Sequence, residues 1–251
     1  MTGATPASRF TVIIPARYGS SRFPGKPLAD LAGEPMVVRV CERAAQSGAA
    51  AVHVATDDQR IAEAVRHHGH SALMTRPDHA SGTDRLAEAA ETLKLGSGEI
   101  VVNVQGDEPL IPPGLIRQVA TTLENQKEAS VSTACHAIHD EASLASPNVV
   151  KVVMDARGFA LYFSRSRIPY PREPGVACYR HAGIYGYRAG FLKKYSRLEV
   201  SDLEKIEALE QLRVLWHGYR IAVAISGTDI PPGVDTPQDL EAVRRILSRG
   251  S

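Results

Sequence analysis

Three cations follow the apolar run that opens TVIIPARYGSSRFPGKPL (Thr11–Leu28): Arg17, Arg22 and Lys26, with no acid before Asp30. Glycines and serines in this stretch let backbone amides approach a ligand closely, and Arg17 and Lys26 are of the type that neutralises phosphate oxygens. The same charges would also suit a solvated basic loop. The stretch fits neither GxxxxGK[ST], because Pro27 follows Lys26, nor GxGxxG. In NVQGDEP (Asn103–Pro109), Asp107 stands just past a β-branched apolar run. A carboxylate there could hold Mg²⁺ against phosphates, since that ion takes one or two carboxylates plus substrate oxygens; it could also be a turn residue or a helix cap. In GVDTPQD (Gly233–Asp239), Thr236 can cap a helix, Pro237 suits its first position and Asp239 completes a capping box. The cap has no need of Asp235, which is left as a second candidate metal ligand.

Ligands of open α/β sheets bind beyond the carboxyl ends of the strands, so these loops call for a sheet beneath them. FTVII reads as the first strand, and a helix is predicted from Pro35 to near Gly48. AVHVA (Ala51–Ala55) is the next strand, and TDDQ (Thr56–Gln59) has the capping-box spacing that opens a helix ending at Gly69. After the short SALM, SGTD (Ser81–Asp84) caps the helix LAEAAETLK, and EIVVNV suits the centre of a parallel sheet. This alternation predicts a doubly wound, mostly parallel mixed sheet with helices on both faces. After about Ser130 the pattern turns strand-rich: SVSTACHA, VVKVVMD, FALYFSR and RHAGIYGYR, with a hairpin at DARG. A proline-rich loop from Ile168 to Tyr179 interrupts it. LEKIEALEQLRVLW then reads as one helix, RIAVAI as a strand and TPQDLEAVRRIL as the final helix.

The 251 residues, 43% of them hydrophobic, suffice for one large domain with a real core. With 29 basic and 28 acidic residues the net charge is +1, so no global field draws the chain to nucleic acid or anionic lipid, and any positive patch is local. Cys41, Cys135 and Cys178 lack CxxC spacing and read as reduced, buried thiols. No run of 18 uncharged apolar residues occurs. The expectation is a cytoplasmic protein that engages neither membrane nor nucleic acid, with a flexible N-terminus over residues 1–8. HHGH (His67–His70) reads as a polar helix end. In CHAIH (Cys135–His139), strand alternation would put Cys135 and His139 on one face and His136 on the other; metal binding is the rarer alternative for either cluster.

IPARYGSSRFPGKPL, MTRPDHASGTDR, VVNVQGDEPLIP, YFSRSRIPYPR, RHAGIYGYR, LEQLRVLW and GVDTPQDL stand in one order between about Phe10 and Leu247. Together they resemble the signatures of the 3-deoxy-manno-octulosonate cytidylyltransferases, the CMP-Kdo synthetases. The resemblance implies a GT-A-like nucleotidyltransferase fold, usually homodimeric, that uses CTP and Mg²⁺ to activate an eight-carbon acidic sugar, Kdo, for lipopolysaccharide synthesis. It implies that Ala16, Arg17 and Lys26 meet CTP, the two cations on its phosphates, and that Arg76, Ser81, Gly82 and Gln105 contact nucleotide or sugar. It implies that Asp107 and Asp235 hold the metal. Arg165, His181, Tyr185, Glu210 and Gln211 occupy positions that resemble the sugar-acid site. On this basis residues 9–130 form a nucleotide-binding half and residues 131–251 a sugar-binding and dimerisation half of the same domain.

The segment PREPGVAC, between IPY and YRHAG, is shorter than in several members of the family it resembles, where that loop lies near the subunit contact and sugar pocket. Three competing readings share the sheet: a cytidylyltransferase for an 8-amino or sialic-type acid, a silent nucleotide binder, and a GT-A glycosyltransferase. The last normally carries a DxD-type motif, which GDEP matches poorly.

Overall fold

The computed structural model describes residues 9–19, 23–79, 81–172, 177–231 and 233–249. Residues 1–8, Arg22 and the centre of the 171–178 loop lie outside the described residues. The first half alternates as its hydrophobic pattern requires. β1 (Phe10–Ala16) leads through a 3₁₀ turn at Lys26–Leu28 and a small hairpin, β2 (Asp30–Leu31) with β3 (Glu34–Pro35), into α1 (Met36–Ala45). Then follow β4 (Ala51–Thr56), α2 (Gln59–His67), β5 (Ser71–Met74), α3 (Gly82–Thr92), β6 (Ile100–Asn103) and α4 (Pro113–Asn125). The second half adds β7 (Ala129–Ala137), α5 (Glu141–Ala145), β8 (Lys151–Met154), β9 (Ala160–Ser164), β10 (Tyr179–Arg188), α6 (Ala189–Tyr195), α7 (Asp202–Glu207), α8 (Leu212–Trp216), β11 (Arg220–Ile225) and α9 (Pro237–Arg249).

A nine-stranded mixed sheet runs in the order β11-β7-β10-β6-β1-β4-β5, with β8 paired to β10 and β9 hairpinned onto β8. Along the seven-strand path β10 alone is reversed, pairing antiparallel with both β6 and β7. Strand periodicity lets β1 serve two layers. Val12 and Ile14 pack with Val37, Ile61 and Ile116 of α1, α2 and α4, whereas Ile13 packs with Leu86 of α3 and Leu192 of α6. In register, Ala16 faces Thr56 and Ile13 faces Asn103, so the loops after β1, β4 and β6 leave from one sheet edge. The candidate chemistry falls on that edge.

Local predictions fail where another part of the chain sets the backbone. Pro35 belongs to β3 and flanks α1 as its N-cap. Thr56 ends β4, so Asp58 caps α2 instead, accepting from the backbone N–H of Arg60 at 2.9 Å. β7 stops at Ala137, so His139 lies beyond the strand and shares no strand face with Cys135. The single helix expected over LEKIEALEQLRVLW is two, split where Ala208 takes a left-handed conformation, φ 51°. The cause is Arg165, whose guanidinium donates to the carbonyls of Glu207 at 2.7 Å and Ala208 at 3.3 Å. Cys41, Cys135 and Cys178 are buried and form no disulfide.

Candidate active site

Three loops converge at the sheet edge, and main-chain contacts hold them in register. After β6, Gly106 passes so near β1 that a Cβ would come 3.0 Å from the Pro15 carbonyl oxygen, tighter than side chains ordinarily pack, which favours glycine there. This brings Asp107 beside the loop ahead of α9, where the Val234 N–H donates to the Asp107 carbonyl at 2.8 Å. A Cβ on Gly233 would meet that same carbonyl at 3.2 Å. The predicted capping box is present: the Asp239 N–H donates to Thr236 Oγ1 at 3.2 Å, and the Thr236 N–H to Asp239 Oδ2 at 2.8 Å. Val234, Leu240 and Val243 pack on Leu31 and Met36, fixing α9 against the first half of the chain.

Lys26 joins these loops. Its Nζ donates to Asp107 Oδ2 at 2.6 Å and to the Val234 carbonyl at 2.8 Å, and lies 3.6 Å from Asp235 Oδ1. One ammonium therefore touches both aspartates predicted to share a cation, 128 positions apart in the chain. The neighbouring Glu108 is pushed up to about 8 by burial and, behind that, by the charge of Asp107, so it holds its proton at neutral pH. Glu108, Asp235, Gly233, His136 and His181 line a pocket of about 180 Å³ that runs from Asp235 toward β10.

The loop after β1 closes on itself, the Gly25 N–H donating to the Tyr18 carbonyl at 2.9 Å with Gly25 in the left-handed region, φ 72°. Arg17 Nη2 donates to the His79 carbonyl at 3.0 Å, which ties this loop to the one ahead of α3. Ser81 caps α3 as predicted, accepting from the Asp84 N–H at 3.1 Å, and Gly82 sits against Pro15 of β1. Fully buried Arg85 pairs with Asp57 at 2.8 Å and bonds Thr75, fastening α3 to the ends of β4 and β5. Arg76 is exposed, its Nε 3.7 Å from both Asp78 and Glu88. It borders a wider pocket of about 640 Å³ along α3 and α6.

The second-half residues gather on the other side of the edge. Gln105 Nε2 reaches the Gly183 carbonyl at 3.5 Å, a long contact. Tyr185, Tyr187, Tyr195, Glu210 and Gln211 surround a small cavity of about 30 Å³. Among the described residues, Glu210 Oε1 is buried there without a hydrogen-bond partner, although Oε2 receives Thr83 Oγ1 at 3.4 Å. A buried, unsatisfied carboxylate oxygen beside phenolic hydroxyls is costly in isolation and suits a polyhydroxylated ligand. Burial pushes Tyr185 well above its ordinary range, so its hydroxyl keeps its proton. Arg165 makes its contacts elsewhere, on the carbonyls of Pro147, Glu207 and Ala208. By kinking the chain at Ala208 it presents Glu210 and Gln211 to the cavity.

His181 packs edge-on against Phe163 at 4.9 Å between ring centres, and its Nε2 meets Thr133 Oγ1 at 2.9 Å. Burial drives its pKa down to about 3. The unfolded chain would protonate this ring near pH ~6.5 while the folded one stays neutral, so below that pH the unfolded state binds more protons and stability falls. Replacing His181 by asparagine should therefore flatten the loss of urea midpoint between about pH 7 and pH 4. An unchanged slope would show that other groups dominate acid unfolding.

Nothing in the sequence singles out His79, Glu88, Glu108 or the Asp57–Arg85 pair: His79 stands unmarked inside MTRPDHASGTDR, and Glu88 has the spacing of an acid on the solvent face of a helix.

A cytidylyltransferase family model matches residues 11–221. The chain is 56% identical over 262 residues to a 3-deoxy-manno-octulosonate cytidylyltransferase of Verminephrobacter eiseniae, covering 97% of this chain and 96% of the relative. The chain belongs to the 3-deoxy-manno-octulosonate cytidylyltransferase family. A relative of that name from Hahella chejuensis is 54% identical over 254 residues, covering 97% of this chain and 100% of that protein. A solved structure of a CMP:2-keto-3-deoxy-manno-octonic acid synthetase complexed with CTP superposes with a TM-score of 0.92 at 47% identity, over 97% of this chain and 100% of that one. A cytidylyltransferase from Leptospira borgpetersenii, 18% identical with a TM-score of 0.63 over 96% of this chain and 87% of that one, shares the fold. The family match spans the loops that carry Arg17, Lys26 and Asp107; Asp235 lies beyond the matched residues, inside the span aligned with the relatives.

Proposed function

We propose that this chain transfers the cytidylyl group of CTP to the anomeric hydroxyl of 3-deoxy-D-manno-octulosonate, giving CMP-Kdo and pyrophosphate for lipopolysaccharide synthesis. The observation that carries the reading is Lys26 held between Asp107 and Asp235 at the sheet edge, in a chain whose family bears that activity in its name.

The donor set fits magnesium. Two carboxylates on stitched loops lie within reach of one cation, and among the described residues no cluster of three or more His, Cys, Asp or Glu forms a closed cage. Hard oxygen ligands few enough to leave places for phosphate and water are what that ion takes. When bound, magnesium would supply charge neutralisation on the phosphate oxygens. Asp107 and Asp235 would hold it, with Lys26 turning from them toward the nucleotide.

The chain's own residues do the rest. The sugar hydroxyl attacks the α-phosphorus, pyrophosphate departs in line, and Arg17 and Lys26 stabilise charge on the phosphate oxygens. No side chain needs to form a covalent bond to substrate; orientation supplies much of the acceleration. Ala16, Arg76, Ser81, Gly82 and Gln105 border the nucleotide, and His181, Tyr185, Glu210 and Gln211 receive the sugar, while Arg165 shapes the turn that displays the last two. Residues 9–130 thus serve mainly CTP and residues 131–251 mainly the sugar. We expect a cytoplasmic homodimer. Dimerisation would cover apolar side chains such as Leu161, Ile206 and Trp216, which stand exposed on β9, α7 and α8. No described helix is long and apolar enough to cross a membrane.

The assay is pyrophosphate release with CTP, Mg²⁺ and Kdo, repeated with UTP and ATP and with a panel of 2-keto sugar acids. Release that needs both CTP and Kdo is the expected result. Release with a different sugar acid alone would move the substrate, and none at all would overturn the activity.

A further inference from the structure

The cation expected on the triphosphate, Arg17, sits on a loop with no acid of its own, so something else must aim it. Its Nη2 donates to the carbonyl of His79 at 3.0 Å. His79 is itself buried, 8% exposed, and its ring Nε2 meets Glu88 Oε2. The same carboxylate accepts the backbone N–H of Arg76, at 3.1 Å on Oε2 and 3.3 Å on Oε1. Glu88 thus grips both ends of the 76–79 turn. It does so from a rigid support: α3 is capped by Ser81, and the turn before Glu88 carries Arg85, locked onto Asp57 and Thr75.

We propose that Glu88 is the positioning residue of the nucleotide side of the site, holding His79 so that its carbonyl orients the Arg17 guanidinium toward the triphosphate. The role rests on the CTP reading above and adds to it a residue with no contact to the reacting atoms. The carboxyl is buried enough to favour the neutral acid, yet the hydrogen bonds from His79 and the Arg76 N–H hold it below the usual carboxylate range, so the grip is anionic at neutral pH. An arginine freed from its acceptor would have to be immobilised anew on each binding event, an entropic cost that appears in affinity for the group it contacts. The sugar side, on β10 and the segment ahead of α8, meets α3 at Thr83, more than a turn before Glu88, so Kdo binding should change little.

The experiment measures the CTP dissociation constant by calorimetry, with Mg²⁺ present, for wild type, Glu88→Gln, Glu88→Ala, Arg17→Ala and the Arg17→Ala/Glu88→Ala double variant. Melting temperatures and the KM for Kdo are recorded alongside. Glu88→Ala should weaken CTP binding on the order of 10-fold and Glu88→Gln by less, with the KM for Kdo within about twofold. In the Arg17→Ala background the Glu88 substitution should cost almost nothing more, because its effect passes through Arg17. Additive losses, or a KM for Kdo that rises together with a falling melting temperature, would mark Glu88 as a structural residue of α3 and overturn the proposal. Unchanged CTP affinity would overturn it too. A wild type that binds no CTP would sink the parent reading as well.

Discussion

Asp107→Ala should lower turnover by about 100-fold or more while the protein still folds. The two halves of this expectation come from different atoms of one residue. The carboxylate faces Lys26 and, across it, Asp235, where a shared cation would meet phosphate. The carbonyl, which no substitution removes, accepts the Val234 N–H and keeps the two loops stitched. Lys26 would lose its 2.6 Å partner but keep the Val234 carbonyl and Asp235, and α9 would stay anchored through Leu240 and Val243. Groups of this kind, preorganised where charge develops, are worth about 2.7–4 kcal/mol of barrier, whereas a partly exposed ion pair contributes about 1 kcal/mol or less to stability. Activity should therefore collapse where the melt moves by a few degrees. The measurements are initial rates of pyrophosphate release at saturating CTP and a thermal melt by circular dichroism. Asp107→Asn, which keeps the shape, should be nearly as inactive as the alanine variant. Near-normal turnover in either would remove Asp107 from the chemistry.

The sequence made legible what is set locally. FTVII is apolar nearly throughout because its period-two side chains pack alternately into two helix layers, and Ser81 and the Thr236–Asp239 box cap their helices through bonds spanning three residues. Arg17, Lys26, Asp107 and Asp235 were conspicuous because each follows a strand or precedes a helix without serving a cap. What stayed hidden depends on residues far apart. Nothing in LEKIEALEQLRVLW announces a break at Ala208, a good helix former; the left-handed turn exists because Arg165, 43 positions earlier, captures the carbonyls on either side of the break. RHAGIYGYR reads as a strand but carries no sign that it runs backwards between β6 and β7. Glu88 has the same spacing as any exposed helical acid until the fold sets His79 against it. The family signatures point to the loops that converge at the sheet edge. They could not show that Lys26 bridges the aspartates, because that contact depends on how two loops are stitched.

Lys26→Met should abolish most activity and, in the absence of nucleotide, turn the pair of aspartates into an open cation site. The ammonium now makes three contacts, to Asp107, to Asp235 and to the Val234 carbonyl, with its side chain 14% exposed. Methionine keeps the unbranched stem and its packing but removes the charge, so two carboxylates are left facing each other across the gap. Taking one partner from a charged group costs about 1–3 kcal/mol at a buried site, and the lower part of that range suits aspartates that are 32% and 53% exposed. The variant alone should accordingly melt lower than wild type. Added Mg²⁺ should then stabilise the variant more than wild type, because in wild type the ion must displace an ammonium already in place, and in the variant it lands on carboxylates that have lost the charge of Lys26. Turnover should remain down by about 100-fold even at saturating Mg²⁺, since a cation on the aspartates cannot replace the donor that Lys26 offers to phosphate. The tests are thermal melts of both proteins across a Mg²⁺ titration, with rates measured at the highest concentration. If Mg²⁺ raises the wild-type melt as much as that of the variant, the ammonium and the metal do not share one position, and the arrangement of Lys26, Asp107 and Asp235 must serve the nucleotide in some other way.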